Sequence, residues 1–208
     1  MMPDLALLSG VAVPPSCLDP LMRLAALVER WNPTVNLVAK STVADIWQRH
    51  ILDSAQILPA APRDAAHWVD LGTGGGFPGL VVAIIAAKTR PKMRVTLVES
   101  DGRKAAFLSE AVREAGIRVD IRAERAEKVA PLAADVVSAR ALAPLEALLP
   151  LVERHVAPDG VALLLKGAGH ASECDQAKVA GWRFSVTAAP SRTDPAAALL
   201  ILKDIRHD

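Results

Sequence analysis

The chain of 208 residues has no tyrosine, only three phenylalanines and four tryptophans, and two cysteines, Cys17 and Cys174. Trp31, Trp47, Trp68 and Trp182 are scattered, which argues against a base-stacking platform of the kind that binds single-stranded nucleic acid. The cysteines form no Cys-x-x-Cys pair and no disulfide framework, and no His/Cys cluster has metal-ligand spacing. A reducing, cytosolic setting without a metal site is therefore expected. The longest apolar run near the glycine-rich segment, Leu80 to Ala87, falls far short of the roughly 20 residues that cross a bilayer. No Lys or Arg precedes Arg23, and Asp4 is acidic, so the start lacks the basic character of a secretory signal. An excess of one charge is also missing: 24 Lys and Arg against 23 Asp and Glu leave +1. Contact with a nucleic acid would then need a local patch. Of two basic clusters, Lys88, Arg90, Lys92 and Arg94 read as solvated surface, whereas Arg118, Arg122, Arg125 and Lys128 are a candidate RNA contact.

What is present supports a folded core. Hydrophobic residues make up 51% of the chain, which excludes disorder and suits one domain with a short extension. Residues 1–62 read as a helical N-terminal extension, punctuated by prolines. Leu21, Leu24, Leu27 and Val28 recur at helical spacing. Thr42 followed by Asp45 resembles a capping box, predicting a second helix to about Leu58 with Val43, Trp47, Ile51, Ala55 and Leu58 on its apolar stripe. Over residues 63–208, strands are predicted at 67–72, 94–99, 117–123, 134–139, 160–166, 182–188 and 197–203. Helices fall between them at 78–88, 101–115, 144–156 and 170–180. Continuous apolar strands such as Val161 to Leu165 imply a parallel sheet covered on both faces. The last two strands are joined only by Pro190 to Pro195, short enough for an antiparallel hairpin. This α/β pattern, a seven-stranded, mostly parallel sheet closing in a hairpin, is that of the class I, Rossmann-like S-adenosylmethionine-dependent methyltransferase fold.

The most informative stretch runs from Val69 to Leu80: a buried strand ending in a carboxylate, a turn rich in glycine, then a helix entered through Pro78. Glycine lets the backbone turn sharply and approach a ligand, and proline suits a first helical position. A second strand ends in Glu99. The segment Gly74 to Gly79 formally fits the dinucleotide pattern Gly-x-Gly-x-x-Gly. Electrostatics favour another owner. A carboxylate at Asp70 would repel a pyrophosphate but attract an ammonium and a sulfonium, and Glu99 is the residue type that accepts ribose hydroxyls. Asp70, Gly72, Gly74 and Glu99 are thus candidate contacts for S-adenosylmethionine.

Further residues narrow the resemblance: Trp31-Asn32, Asn36-Leu37, Arg49-His50-Ile51-Leu52-Asp53-Ser54, Asp70 to Gly79, Ser138 to Ala141, and Leu165-Lys166-Gly167. Together they resemble the bacterial small-subunit ribosomal RNA methyltransferase G family, also known as GidB. The resemblance implies methyl transfer to N7 of a guanine in the 530 loop of 16S rRNA, with the small subunit or an assembly intermediate as partner. It also implies cofactor contacts at Gly72, Phe77, Ala126, Glu127 and Arg140. The segment around Arg49 to Ser54 would flank the cleft.

Methylation at guanine N7 needs no general base, because N7 has a free lone pair; the protein supplies positioning and electrostatics. Arg140 and Lys166 follow the fourth and fifth strands, where open α/β sheets bind ligands. They are the candidate catalytic residues, Arg140 lining the cofactor and guanine edge and Lys166 holding O6 or a phosphate. Arg49 and Asp53 are four apart, as are His50 and Ser54, so each pair would share a helix face. These four are substrate-side candidates, with an Arg49–Asp53 pair or a buried His50 as the plainer readings. Without tyrosine there is no Asn-Pro-Pro-Tyr loop of exocyclic-amine methylation, and neither cysteine follows the fourth strand, where a nucleophile toward pyrimidine C6 would stand. Methylation of another RNA base, a protein or a small molecule, or an inactive RNA- or nucleotide-binding module, are the alternatives. A monomer is expected.

Overall fold

In the computed structural model residues 13–208 are described; the acidic start bearing Asp4 lies outside the described residues. Seven strands form one sheet in the order β3-β2-β1-β4-β5-β7-β6. They are β1 (His67–Leu71), β2 (Arg94–Val98), β3 (Asp120–Arg122), β4 (Ala134–Arg140), β5 (Val156–Lys166), β6 (Trp182–Pro190) and β7 (Ala198–His207). The first five pair in parallel, and β7 lies antiparallel between β5 and β6. The closing hairpin therefore sits at one sheet edge, as expected from its short connection.

Among the described residues six α-helices accompany the sheet: α1 (Leu18–Val35), a single turn α2 (Asp53–Ala55), α3 (Gly79–Thr89), α4 (Gly102–Ala115), α5 (Leu145–His155) and α6 (His170–Val179). One core unites α1, α3 and α4 with one face of the sheet, including Leu21, Leu24, Leu27, Val28, Leu80, Val81, Phe107 and Leu108. A second lies under α5, α6 and the hairpin, with Leu145, Leu149, Val152, Leu164 and Leu200. Helix α3 is buried throughout from Gly79 to Ala86, as befits an element covered on all sides. Among the described residues, no helix is long and apolar enough to cross a membrane.

Three expectations need correction. The helix expected over 42–58 is broken into a 3-10 turn at Lys40–Thr42, a π turn at Trp47–Leu52, α2, and a 3-10 turn at Leu58–Ala60. Thr42 caps nothing: its hydroxyl donates to the Ala39 carbonyl and meets His50 Nε2 at 2.7 Å, a tertiary contact that outweighs the capping box. Pro78 precedes α3 as its N-cap residue instead of opening it. The first helical residue must have an N–H, because Gly79 N donates to the Asp70 carboxylate (3.0 Å). The strand expected from 160 begins at Val156, and the β4–β5 register shifts between Ala134 and Val136. Gly160 permits this crowding; a Cβ there would stand 2.6 Å from Val156 Cγ2 and 2.8 Å from the Ala134 carbonyl.

Candidate active site

A cavity of about 830 Å3 opens at the carboxyl ends of the parallel strands, where β1 has β2 on one side and β4 on the other. That reversal of strand order is where open α/β sheets bind ligands. Its wall includes the turn Gly72–Gly75 with Phe77, the segment Leu37–Ala39, Arg49, His50 and Asp53, Arg140 to Pro144, Lys166, and Ser191, Thr193 and Asp194 from the β6–β7 connection.

The turn is built by backbone geometry. Gly72 and Gly74 have φ of +62° and +56°, the left-handed region that glycine enters without a steric penalty. A Cβ on Gly72 would meet Leu142 Cδ1 at 2.4 Å. Two carboxylates hold this turn from behind. Asp70 is fully buried and accepts from Ser138 Oγ (2.5 Å) as well as Gly79 N. Burial pushes its carboxyl up to about 6, with the Ser138 and Gly79 hydrogen bonds working in the opposite direction. It does not itself line the cavity; its hydrogen bonds join β1 to the start of α3 and to β4. Glu99 likewise stands behind the wall, 7% exposed, accepting from Gly74 N (2.9 Å) and Asp101 N (2.8 Å). Each of its oxygens retains a lone pair.

The opposite wall is a side-chain network centred on Arg140. Its guanidinium donates to Asp53 Oδ2 (3.1 Å), the Arg49 carbonyl (3.0 Å) and His50 Nδ1 (2.9 Å), and lies 5.3 Å from the Phe77 ring centroid. Arginine only donates, so His50 Nδ1 is the acceptor and Nε2 bears the proton, donating to Thr42 Oγ1. This chain of donors assigns the tautomer. Burial, then the charges of Arg140 and Arg49, lower the His50 pKa to about 4, so the ring is neutral near pH 7. Asp53 Oδ1 accepts from Thr193 Oγ1 (2.6 Å) and Gln56 Nε2 (2.8 Å). Arg49 pairs with Asp194 (3.1 Å), not with Asp53. Asp53 is taken by the more deeply buried Arg140, 87 residues away.

Of the expected contacts, Gly72, Gly74, Phe77, Arg49, His50, Asp53, Arg140 and Lys166 come together around the cavity. Ala126 and Glu127 are outside its lining; the Ala126 carbonyl faces His155 Nε2 (2.9 Å). Ser54 is buried and turns back to the His50 carbonyl (2.6 Å), which removes it from the substrate side. Lys166 is committed to Glu173 (2.6 Å) and the Ala143 carbonyl (2.8 Å), so its ammonium is not offered freely to a phosphate or O6. Sequence reasoning missed Thr42, Lys104, Glu173, Thr193 and Asp194. Thr42 reads only as a capping residue and the other four belong to no local motif; the last two lie in a connection that reads only as a hairpin link. The Asn32 side chain accepts from Val38 N (2.9 Å) and so holds Leu37–Ala39 against the turn, where a Cβ on Gly75 would be 3.1 Å from Leu37 Cβ.

Comparison with known proteins accords with this geometry. The family model described as GidB, rRNA small subunit methyltransferase G, matches residues 18–188. A Cereibacter sphaeroides protein named Ribosomal RNA small subunit methyltransferase G is 49% identical over 189 residues, 91% of this chain and 91% of that protein. One of the same name from Ruegeria sp. is 46% identical over 190 residues, covering 91% of this chain and 92% of the relative. Among solved structures, cofactor-bound Rv0187 from MTB has a TM-score of 0.61 at 18% identity over 91% of each chain. A TehB-like SAM-dependent methyltransferase from Corynebacterium glutamicum has 0.58 at 16%, covering 88% of this chain and 98% of that one. These two likenesses show the fold.

Proposed function

Because the chain belongs to the rRNA small subunit methyltransferase G family, we propose that it transfers a methyl group from S-adenosylmethionine to N7 of a guanine in the 530 loop of 16S rRNA. The observation that carries the choice of N7 is that no base in the cavity wall is uncommitted among the described residues. Asp53 is held by Arg140, Asp194 by Arg49 and Glu173 by Lys166. The basic nitrogen of His50 accepts from Arg140. A reaction that had to strip a proton from its acceptor would lack a suitable group, whereas N7 presents a lone pair directly.

The wall fits the donor. Glycine φ values bring the turn's backbone into the cavity lining, and Glu99 has lone pairs to spare for two ribose hydroxyls. When bound, S-adenosylmethionine supplies a sulfonium methyl open to in-line displacement. Arg140 sets the positions of Phe77, His50 and Asp53, and Lys166 ties Glu173 to the segment after β4. Both charges are neutralised by their partners, which suits a product base that becomes cationic. The protein would act as a cytosolic monomer on the small subunit, its assembly intermediate or its rRNA.

The test is to incubate the protein with small subunits lacking this modification and isotopically labelled donor, then to digest the rRNA and analyse it by mass spectrometry. The expected product is N7-methylguanosine in the fragment containing the 530 loop, with turnover flat from about pH 6 to 9 because no catalytic base titrates. Label on an exocyclic amine or a pyrimidine, or a rate rising through one ionisation, would overturn the reading.

A further inference from the structure

Four cations line the cavity: Arg49, Lys104, Arg140 and Lys166. Three have carboxylate partners, Asp194 at 3.1 Å, Asp53 at 3.1 Å and Glu173 at 2.6 Å respectively. Lys104 forms no ion pair among the described residues. The nearby Asp101 carboxylate is occupied by the backbone N–H groups of Arg103 and Lys104, and acts on the ammonium only through space. With His50 neutral, the charges of these lining side chains cancel except at one place, and that place is Lys104.

Its position does nothing for its own helix. Lys104 lies in the first turn of α4, where no acidic residue is present and where the helix macrodipole disfavours a cation. Its side chain instead lines the cavity, on a helix that follows β2 and Glu99 in the chain, whereas Arg140 ends β4 on the other side of β1. Beside it, Arg103 is 71% exposed at the side chain. The end of β3 also adjoins, since Glu99 N donates to the Arg122 carbonyl (3.0 Å); exposed Arg125 and Lys128 follow, interleaved with Glu124 and Glu127. A chain of phosphates entering the cavity over this edge would meet Lys104 as the lining cation that has no ion pair among the described residues.

We infer that Lys104 anchors one phosphate of the RNA substrate at the cavity mouth. A flexible ammonium with three donors suits this role, as a point charge that tolerates variable geometry. The inference rests on the reading that RNA is the acceptor.

The experiment compares the wild-type protein with Lys104→Ala and Lys104→Arg. It measures the affinity for an RNA containing the 530 loop across a series of KCl concentrations, and the affinity for S-adenosylmethionine by calorimetry. The slope of log affinity against log salt should fall by about 0.7–0.9 in Lys104→Ala, the contribution of one phosphate contact, and be retained in Lys104→Arg. Donor affinity should change less than twofold. An unchanged slope in Lys104→Ala overturns the inference. So does a donor affinity that falls with the slope intact, which would assign Lys104 to the donor's carboxylate. If wild-type protein itself shows no salt-dependent RNA binding, the acceptor reading fails before Lys104 is in question. Melting temperatures of the variants separate misfolding from lost contact.

Discussion

One wall of the cavity is made from backbone and the other from side chains. On the glycine side, Asp70 and Glu99 each accept backbone N–H groups from residues two to 25 positions away. On the Arg140 side, contacts join residues 87 to 145 positions apart, linking the segment before β1 to β4 and to the β6–β7 connection. The first wall is crowded at Gly75 and Gly79, where an added Cβ would stand 3.1 Å and 2.5 Å from its nearest neighbours. The second depends on several weak links that hold one another, so losing one leaves others unsatisfied.

The largest effect should come from crowding the backbone-built wall. A Cβ on Gly79 would lie 2.5 Å from Asp70 Cβ, 2.5 Å from Leu97 Cδ2 and 2.6 Å from Asp70 Oδ2. Gly79→Ala should destabilise the protein by about 3 kcal/mol, read as a lower urea midpoint. An unchanged midpoint would mean that this wall yields as readily as the other.

The two walls should also respond oppositely to acid. The Asp70 pKa is raised from 3.8 to about 6, so the folded state binds more protons between those values. The stability this contributes is present below about pH 4 and lost as pH rises through 6. The His50 pKa is lowered from 6.5 to about 4, so its contribution is present above pH 6.5 and lost as pH falls toward 4. Each is worth up to about 3 kcal/mol, and in the wild type they oppose each other. Asp70→Asn should therefore expose a fall in stability on acidification from pH 7 to 4, and His50→Gln a rise. Parallel profiles for the two variants would remove the distinction.

Breaking the side-chain wall at its centre should matter less than crowding the glycine wall, because its members are partly solvated. Arg140 and Asp53 side chains are each 16% exposed. Arg140→Met should cost about 2 kcal/mol by leaving Asp53 and His50 without their donor. A double-mutant cycle with Asp53→Asn should give a coupling of about 1 kcal/mol. Smallest of all is the exposed Arg49–Asp194 pair, 44% and 34% exposed; Arg49→Ala should shift stability by less than about 0.5 kcal/mol, an effect fading in salt. A loss as large as that of Arg140→Met would make the network a single unit instead of a graded one.

The contrast between the walls also explains what could be read in advance. Strands such as 134–139 and the turn at Gly72 were legible because burial and glycine leave marks within a few residues. Asp70 and Glu99 were legible as acids at strand ends, but not the direction in which they point. The same letters suit a ligand contact or a helix cap, and only the position of Gly79 N decides. The segment 42–58 was misread because Thr42 satisfies both a local capping pattern and a distant His50. Lys166 was recognised as a strand-end cation, while Glu173, which engages it, lies in α6 and gives no local signal.

By itself, then, the sequence determined the order of the strands and of the helices from residue 78 onward, the glycine turn at the switch point and part of the set of residues that gather there, since periodicity and backbone freedom are properties of neighbours in the chain. Which of those residues are spent on one another was decided only by the tertiary structure. Asp70 is buried beneath the turn, Arg140 is shared among Asp53, His50 and the Arg49 carbonyl, and Lys166 is paired with Glu173. Lys104 is left without an ion pair among the described residues. Pairing depends on distances of a few ångströms between groups far apart in sequence, and folding alone sets those distances.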